Sequence, residues 1–535
     1  MALTLAALLY IAPWVAAQAV ESDSIAEALP AALHQLGATG WVDRHPVADA
    51  GLLDAFYAAR AYRPAWNESG RVQALLQSIR DSALHGLNPA DYQLEALEAL
   101  VAGPRDVDRL VAVELVATDA AIRLAGHLGF GKVDPQKFHP SWNFSHRLND
   151  LQRLELLRSL LAARDFRAAI EGLAPQSDYY RGLQAYLAQY RELAALGGWP
   201  VVPAGETLRP GAVSPRVSLL RARLAVTGDL PAVSLPREDD FFDEELEAAV
   251  RRFQARHELE VDGLVGRHTL AALNVPVEAR VDQLRVNLER VRWVFRDMGR
   301  RFLLVNIARF RVLLLEDRVV QWSTRAIVGG PYRQTPVFRA DMTYLELNPT
   351  WTVPPTIFRE DLLPEIRRDG GVLQRRNMEV LDYSGRRIDP AAIDWQHVDA
   401  RRFSYLVRQA PGPYNPLGRI KFLFPNPHQV YIHDTPGREL FRRADRSFSS
   451  GCIRIERPLE LARLLLEGDP SELERMDAAL RSGKTTPISL PRPIPVLILY
   501  GTAVPEDDGI HFTGDVYDRD PQVLRALDAP FRPAR

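Results

Sequence analysis

Phe448-Ser449-Ser450-Gly451-Cys452-Ile453-Arg454 carries the only cysteine of the 535-residue chain, set behind a small, glycine-containing turn. Upstream, Tyr431-Ile432-His433-Asp434 places an imidazole at the end of a strand-like segment, 19 positions before the sulfur. Such pairs are judged by neighbourhood in space rather than in sequence. The apolar run Leu459 to Leu466 reads as a helix, and a strand end and a helix start can face one another at the rim of a sheet. Cys452 is therefore expected near a helix N-terminus, where the dipole and free amides favour a thiolate. In that reading Cys452 is the nucleophile, and His433 takes its proton and later hands it to a leaving amine. The backbone N–H groups of Gly451 and Cys452 would hold the oxyanion of a tetrahedral intermediate. The competing reading is a buried cysteine in a turn, because free cysteine is among the most buried residue types.

Length and composition set the frame. A chain of this size is expected to hold about three or four domains at ~150 residues each. The 47% apolar and 25% charged fractions are ordinary for globular protein, and a net charge of −2 argues against a nucleic-acid footprint. One cysteine makes no internal disulfide and no cysteine-rich zinc site. No His-Glu-x-x-His or comparable ligand spacing occurs, so neither metal nor cofactor is expected. Residues 1–19 are Ala/Leu-rich, are interrupted by Pro13 and end in Ala17-Gln18-Ala19, which reads as a secretory signal peptide although no Lys or Arg precedes the apolar core. No later stretch reaches the ~18 uncharged apolar residues of a membrane span.

Residues 22–195 read as a helical scaffold, with Leu52, Leu53 and Phe56 and then Leu110, Val113 and Ala117 at helical spacing. His127 and His139 stand apart and are expected to be structural. A Gly/Pro-dense linker follows, and residues 210–278 read as a small three-helix module. Phe253-Gln254, Leu259, Val261-Asp262-Gly263, Gly266 and Thr269 make this module resemble the peptidoglycan-binding family, with both glycines expected to serve the sharp turn. Residues 279–300 form a connecting helix, amphipathic from Val281 to Phe295. From Arg301 the period changes to short β-branched runs, so residues 301–503 are expected to form a mostly antiparallel sheet domain. Strands are expected at Arg419 to Phe424, Gln429 to Ile432 and Val496 to Tyr500, with a capping insertion over about 352–408 and a C-terminal segment at 504–535. The fold class is thus multidomain α + β: helical scaffold, three-helix module, and a mostly antiparallel β domain with an inserted cap.

The stretch from Tyr431 through Arg454 resembles the L,D-transpeptidase catalytic domain, whose pattern is a histidine, a spacer, then Ser/Thr-His-Gly-Cys-apolar-Asn. Ser450 stands where most members have a second histidine, and Arg454 where most have asparagine. Both departures occur together in the large multidomain Gram-negative branch, which also carries a scaffold, a peptidoglycan-binding module and a cap in this order. The resemblance implies that Cys452 attacks the third residue, meso-diaminopimelate, of a tetrapeptide stem, that terminal D-Ala leaves, and that another diaminopimelate amine resolves the thioester into a 3→3 cross-link. It also implies acylation by carbapenems, a periplasmic location, and partnership with glycan-strand polymerases and D,D-carboxypeptidases. Two alternatives stay open: an L,D-carboxypeptidase or cross-link-cleaving hydrolase that resolves the thioester with water, and a non-catalytic wall-binding protein. For the latter, a thiol titrating near ~8.5 and slow to alkylate would be the sign.

Other residues have two readings each. Arg454 would grip a substrate carboxylate bidentately or form a structural salt bridge. Ser449 would orient His433 or cap the turn, and Ser450 beside it is a candidate substrate-binding residue. Tyr431 alternates to the side of His433 and would line the substrate groove or pack the sheet. Trp351 would contact the lid or fill a core, His428 is an alternative base in an exposed loop, and Asp434 would orient an imidazole or shape a turn.

Overall fold

The computed structural model describes residues 3–66, 70–144, 148–231, 239–294, 296 and 298–531, with side chains for all of these except residues 3–20. The first helix runs from Leu3 to Thr39 across the expected end of the signal segment, whose side chains lie outside the described residues.

Alternating and continuous apolar runs build the β domain. Its strands are β1 Arg301–Asn306, β2 Arg311–Glu316, β3 Val319–Ile327, β4 Phe338–Leu347, β5 Ile420–Leu423, β6 Ile432–His433, β7 Ile453–Ile455 and β8 Thr486–Leu499. They close into a barrel in the order β5-β6-β7-β3-β2-β1-β8-β4, with β4 pairing back to β5. The pairs β6/β7 and β1/β8 are parallel and the rest antiparallel. Val312 and Leu314 of β2, Ile420 and Phe422 of β5, and Ile453 and Ile455 of β7 are fully buried at alternate positions, as a half-buried sheet dictates, with Leu345 of β4 and Ile432 of β6 beside them, whereas β1 buries the adjacent Phe302 and Leu303.

Three elements differ from expectation for physical reasons. β8 starts ten residues early, because Pro487, Pro491, Pro493 and Pro495 mask it in the sequence. The prolines are tolerated because β8 meets β1 only from Val496 onward, and the β4 register shifts between Ser489 and Ile494. β6 is short because Gln429 takes a positive φ of 54° and breaks the strand expected there. Between Cys452 and the helix Pro458–Leu465 lies β7, so the sulfur precedes a strand and not a helix N-terminus. The Ile453-Arg454-Ile455 alternation outweighs the helical run that follows it.

The cap leaves the barrel after β4 and returns before β5. Its own sheet runs Trp351–Thr352, Leu406–Gln409, Met378–Leu381, Arg387–Ile388, and Phe358, Leu362, Ile366, Val380 and Val407 fill a separate small core. A π-helical turn, Phe358–Leu362, interrupts its main helix.

The scaffold is helical, and its helix Val107–Phe130 is enclosed on nearly all sides rather than amphipathic. His139 stacks on Trp142, and His127 Nδ1 meets Tyr92 Oη at 3.0 Å, both packed as structural residues. The module has helices Pro215–Val226, Glu244–Arg256 and Arg267–Leu273 around Leu220, Leu246, Val250 and Phe253. The fully buried Gln254 explains its motif. Its amide nitrogen donates to Asp262 Oδ1 at 2.7 Å, Leu264 O at 3.0 Å and Thr269 Oγ1 at 3.1 Å, while its oxygen accepts from Gly263 N at 2.8 Å. Only Gly263 needs a left-handed φ, +76°; Gly266 sits at ordinary extended φ, ψ before its helix.

The connecting helix is Val277–Val294, with Phe295 outside the described residues. It buries the Glu289–Arg292 ion pair completely and ties it to Val133 N at 2.7 Å and Tyr180 Oη at 2.8 Å of the scaffold. The C-terminal segment returns as a hairpin, Ala503–Glu506 with Gly509–Phe512, and a helix, Asp520–Asp528. Arg256 of the module donates to Ile510 O at 2.7 Å, so this hairpin joins the module to the barrel.

Candidate active site

Strand register assembles the site. Across β4, β5, β6 and β7, Glu346 pairs with Lys421, Lys421 with His433, and His433 with Arg454, forming one row. Two residues along, Tyr344 pairs with Leu423, and the same registers bring Tyr431 beside Cys452, with Ile453 N donating to Tyr431 O at 3.1 Å. Because side chains alternate, these residues share the face opposite the buried Ile432, Ile453 and Ile455. The face floors a cavity of about 1120 Å³ under the cap, lined by Cys452, His433, Tyr431, Lys421, Arg454 and Trp351 among others. The expected pair is thus brought to one surface, as is Tyr431.

His433 is buried, and its Nδ1 donates to Asp434 O at 2.5 Å. That bond puts the neutral ring's proton on Nδ1 and leaves the Nε2 lone pair free. Burial first, then the Arg454 and Lys421 charges, lower its pKa to about 3, so the ring is neutral. The Asp434 carboxylate faces away from the imidazole, accepting from Arg419 N at 2.8 Å and pairing with Arg438 at 2.7 Å; its backbone carbonyl does the orienting.

Cys452 is half-buried, its sulfur 3.9 Å from Gln429 O. Burial pushes its thiol above the ordinary range, against opposing pulls from Tyr431's amide and hydroxyl, Lys421 and Arg454. The expectation of a resting thiolate is corrected: with a strand in place of the helix dipole, the resting group is a thiol.

The loop around it is locked from beneath. Ser449 Oγ donates to Cys452 O at 2.5 Å and accepts from Gly451 N at 3.1 Å, so Ser449 caps the turn rather than orienting His433. The Gly451 amide is thereby engaged inside the loop, not free for an oxyanion; the Cys452 amide has no acceptor among the described residues. Gly451 has φ +112°, a conformation costly for any side chain. Its carbonyl accepts from Thr335 Oγ1 at 2.9 Å. Gly329, on the neighbouring loop, has room for no Cβ, which would lie 2.1 Å from Arg333 O.

At the mouth, Arg333 donates to Ser450 Oγ at 2.9 Å, Asp361 Oδ2 at 2.7 Å and Glu360 Oε2 at 2.6 Å, joining the cap to the cysteine loop. Trp351 is half-buried, pairs with Gln409 of the cap sheet and also lines the cavity. His428 is exposed, its ring 5.0 Å from that of Phe338. Arg454 has no carboxylate within ion-pair distance among the described residues, and its Nε is buried without a hydrogen-bond partner, which removes the structural salt-bridge reading.

Lys421, Thr335, Arg333 and Tyr517 were missed. Ile420-Lys421-Phe422 carried a usable signal, since a lysine between two core positions of a strand faces the opposite side with His433. Tyr517 carried none: its hydroxyl donates to Gly329 O at 2.5 Å and accepts from Thr335 N at 3.1 Å across nearly 190 residues of sequence. Among the described residues, Glu506, Asp508 and His511 lie close enough to hold a metal ion. The Arg309 guanidinium already pairs with Glu506 and lies 3.1 Å from His511 Nδ1, so this cluster reads as an ion network bracing the hairpin.

The profile of the L,D-transpeptidase catalytic domain matches residues 300–473, that of the scaffold domain residues 51–187, and that of the "Putative peptidoglycan binding domain" residues 213–273. A "Putative L,D-transpeptidase" of Haemophilus influenzae is 37% identical over 219 residues, 41% of this chain; the match spans 44% of that relative's length. Among solved structures, an L,D-transpeptidase from Mycobacterium smegmatis is 12% identical, covers 37% of this chain and 58% of its own, with a TM-score of 0.19. One from Stackebrandtia nassauensis is 13% identical, covers 56% and 96%, with a TM-score of 0.22. At that level of superposition nothing in the site is transferred from them.

Proposed function

Because the chain belongs to the multidomain L,D-transpeptidase family, we propose that it forms 3→3 cross-links in exported peptidoglycan through a thioester on Cys452. The observation that carries this is the common face of Cys452 and His433 in the cavity beneath the cap, with the free Nε2 of a Nδ1-anchored imidazole. Thiol and imidazole both rest neutral, so the proton passes to His433 Nε2 as sulfur bonds to the carbonyl carbon of diaminopimelate. The Cys452 amide takes the place assigned to Gly451 as oxyanion donor. Collapse breaks the C–N bond, and the imidazolium returns its proton to the departing D-Ala amine. The second stem's side-chain amine then attacks the thioester, loses a proton to His433, and expels the thiolate, which is reprotonated. Arg454, unpaired beside the nucleophile, receives a stem carboxylate. Ser450, Tyr431 and Trp351 border the same cavity. The apolar start of the chain supports periplasmic delivery, where synthesis and trimming enzymes would supply tetrapeptide stems.

The test is a product assay on purified tetrapeptide muropeptides. D-Ala release with 3→3 dimers, both lost in Cys452→Ala, is expected. Tripeptides without dimers would replace transfer by hydrolysis, and dimers from Cys452→Ala would overturn the assignment of the nucleophile.

A further inference from the structure

The cavity beneath the cap holds two cations that no side chain neutralises. Lys421 and Arg454 flank His433 in the row across β5, β6 and β7, one on each side of the imidazole, and both line the cavity. Arg454 Nε is buried without a hydrogen-bond partner. Lys421 Nζ stands over the Tyr431 ring, 4.2 Å from its centroid, and among the described residues no carboxylate lies within ion-pair distance of it. The third cation of the lining, Arg333, is already paired with Glu360 and Asp361. That leaves one acid, Glu346 opposite Lys421 on β4, against two cations. Burial lowers the Lys421 pKa, as it does for any charge that lacks a counter-ion, and an incoming anion would relieve it.

We propose that Lys421 determines which stem the site accepts: its ammonium binds the carboxylate at the far end of the diaminopimelate side chain, while Arg454 takes the C-terminal carboxylate of the same stem. This rests on the reading of Cys452 as the nucleophile toward a diaminopimelate stem. Such a tetrapeptide has one carboxylate close to the scissile carbonyl, on the departing D-Ala, and another at the end of the side chain. The two cations stand at a matching pair of distances from the sulfur. Arg454 lies two residues beyond Cys452 on the same strand, about 7 Å along it. Lys421 lies two strands over and two residues along, about 12 Å away at the backbone, and its side chain reaches back over Tyr431. Lysine in place of diaminopimelate has the same side chain without the carboxylate, so such a stem would leave the Lys421 charge buried and unanswered. A lysine serving only to pack on the Tyr431 ring would be indifferent to that difference.

The test is calorimetric titration of two synthetic tetrapeptide stems, one with meso-diaminopimelate and one with L-lysine at the third position, into the full chain carrying Cys452→Ala, which binds without turnover. The diaminopimelate stem is expected to bind about tenfold more tightly than the lysine stem, the worth of one charge-assisted hydrogen bond. Adding Lys421→Met is expected to bring the two stems level, and adding Arg454→Met to weaken both while keeping their ratio. If Lys421→Met does not fold, Lys421→Gln, which keeps a polar head, is read the same way. Equal affinities before Lys421 is changed overturn the proposal, as does a ratio that survives Lys421→Met or disappears with Arg454→Met. Binding of neither stem overturns it together with the stem reading. The titration needs no chemistry at Cys452. A protein that selects diaminopimelate through Lys421 yet forms no dimers in the product assay would overturn cross-linking and leave the role of Lys421 standing; dimers without that selection would do the reverse.

Discussion

His433 combines a bond that fixes its tautomer with a setting that resists its charge. The Nδ1 contact to Asp434 O favours protonation, but burial and the cations Arg454 and Lys421 outweigh it and hold the pKa at about 3. The sign follows directly. The folded ring stays a base down to about pH 3, whereas an unfolded histidine takes its proton near 6.5. Acylation of Cys452 is therefore expected to show no inflection near pH 6.5, while stability falls as pH drops below 6.5, by up to about 1.4 kcal/mol per pH unit for this residue. Rates of acylation and melting temperatures across acidic pH check both, and a rate that halves near 6.5 would contradict the first. The His433–Cys452 pair was legible in the sequence because a lone cysteine after serine and glycine, with a histidine closing a strand, is a local pattern. The protonation state was not, since it depends on cations from β5 and β7 that only register brings together.

Among elements, the loop Val328 to Thr335 links the cysteine turn to everything that supports it. Ser449 N donates to Val328 O at 2.8 Å and Gly330 N to Ser449 O at 2.9 Å, so the turn is docked as an extension of β3. Tyr517 holds that loop from the far side through Gly329 and Thr335. Tyr517→Phe leaves a buried carbonyl and a buried amide without their partner, a cost of about 1–3 kcal/mol. A lower melting temperature is expected, together with slower acylation of Cys452, because the Thr335 contact to the Gly451 carbonyl loosens. Thermal melts and acylation rates check it; a slower rate with unchanged melting, or the converse, would uncouple support from chemistry. The barrel strands with clean alternation, β2 and β5, were legible, and β1 was legible as a short continuous apolar run. β7 was not, because three residues do not show a period against the stronger helical run behind them. β8 was half legible, because proline normally speaks against a strand interior.

Over the whole molecule, one helix and one returning segment bind the units together. Helix Val277–Val294 carries the buried Glu289–Arg292 pair against the scaffold, and its Asn287 donates to Thr502 Oγ1 at 2.8 Å where the barrel gives way to the hairpin. The hairpin in turn touches the module through Arg256, and Lys132 of the scaffold donates to Ala529 O at 2.9 Å. The order of scaffold, module, barrel and cap could be read from changes of periodicity. The return of residues 503–531 could not, because its contacts span hundreds of residues and leave no local pattern. The proposed cross-linking requires a sulfur that acylates in this folded setting. The most direct measurement is the intact mass of the full chain after mixing with a carbapenem. One adduct per chain is predicted for the parent and none for Cys452→Ala; an unmodified parent, or an equal adduct on Cys452→Ala, would contradict it.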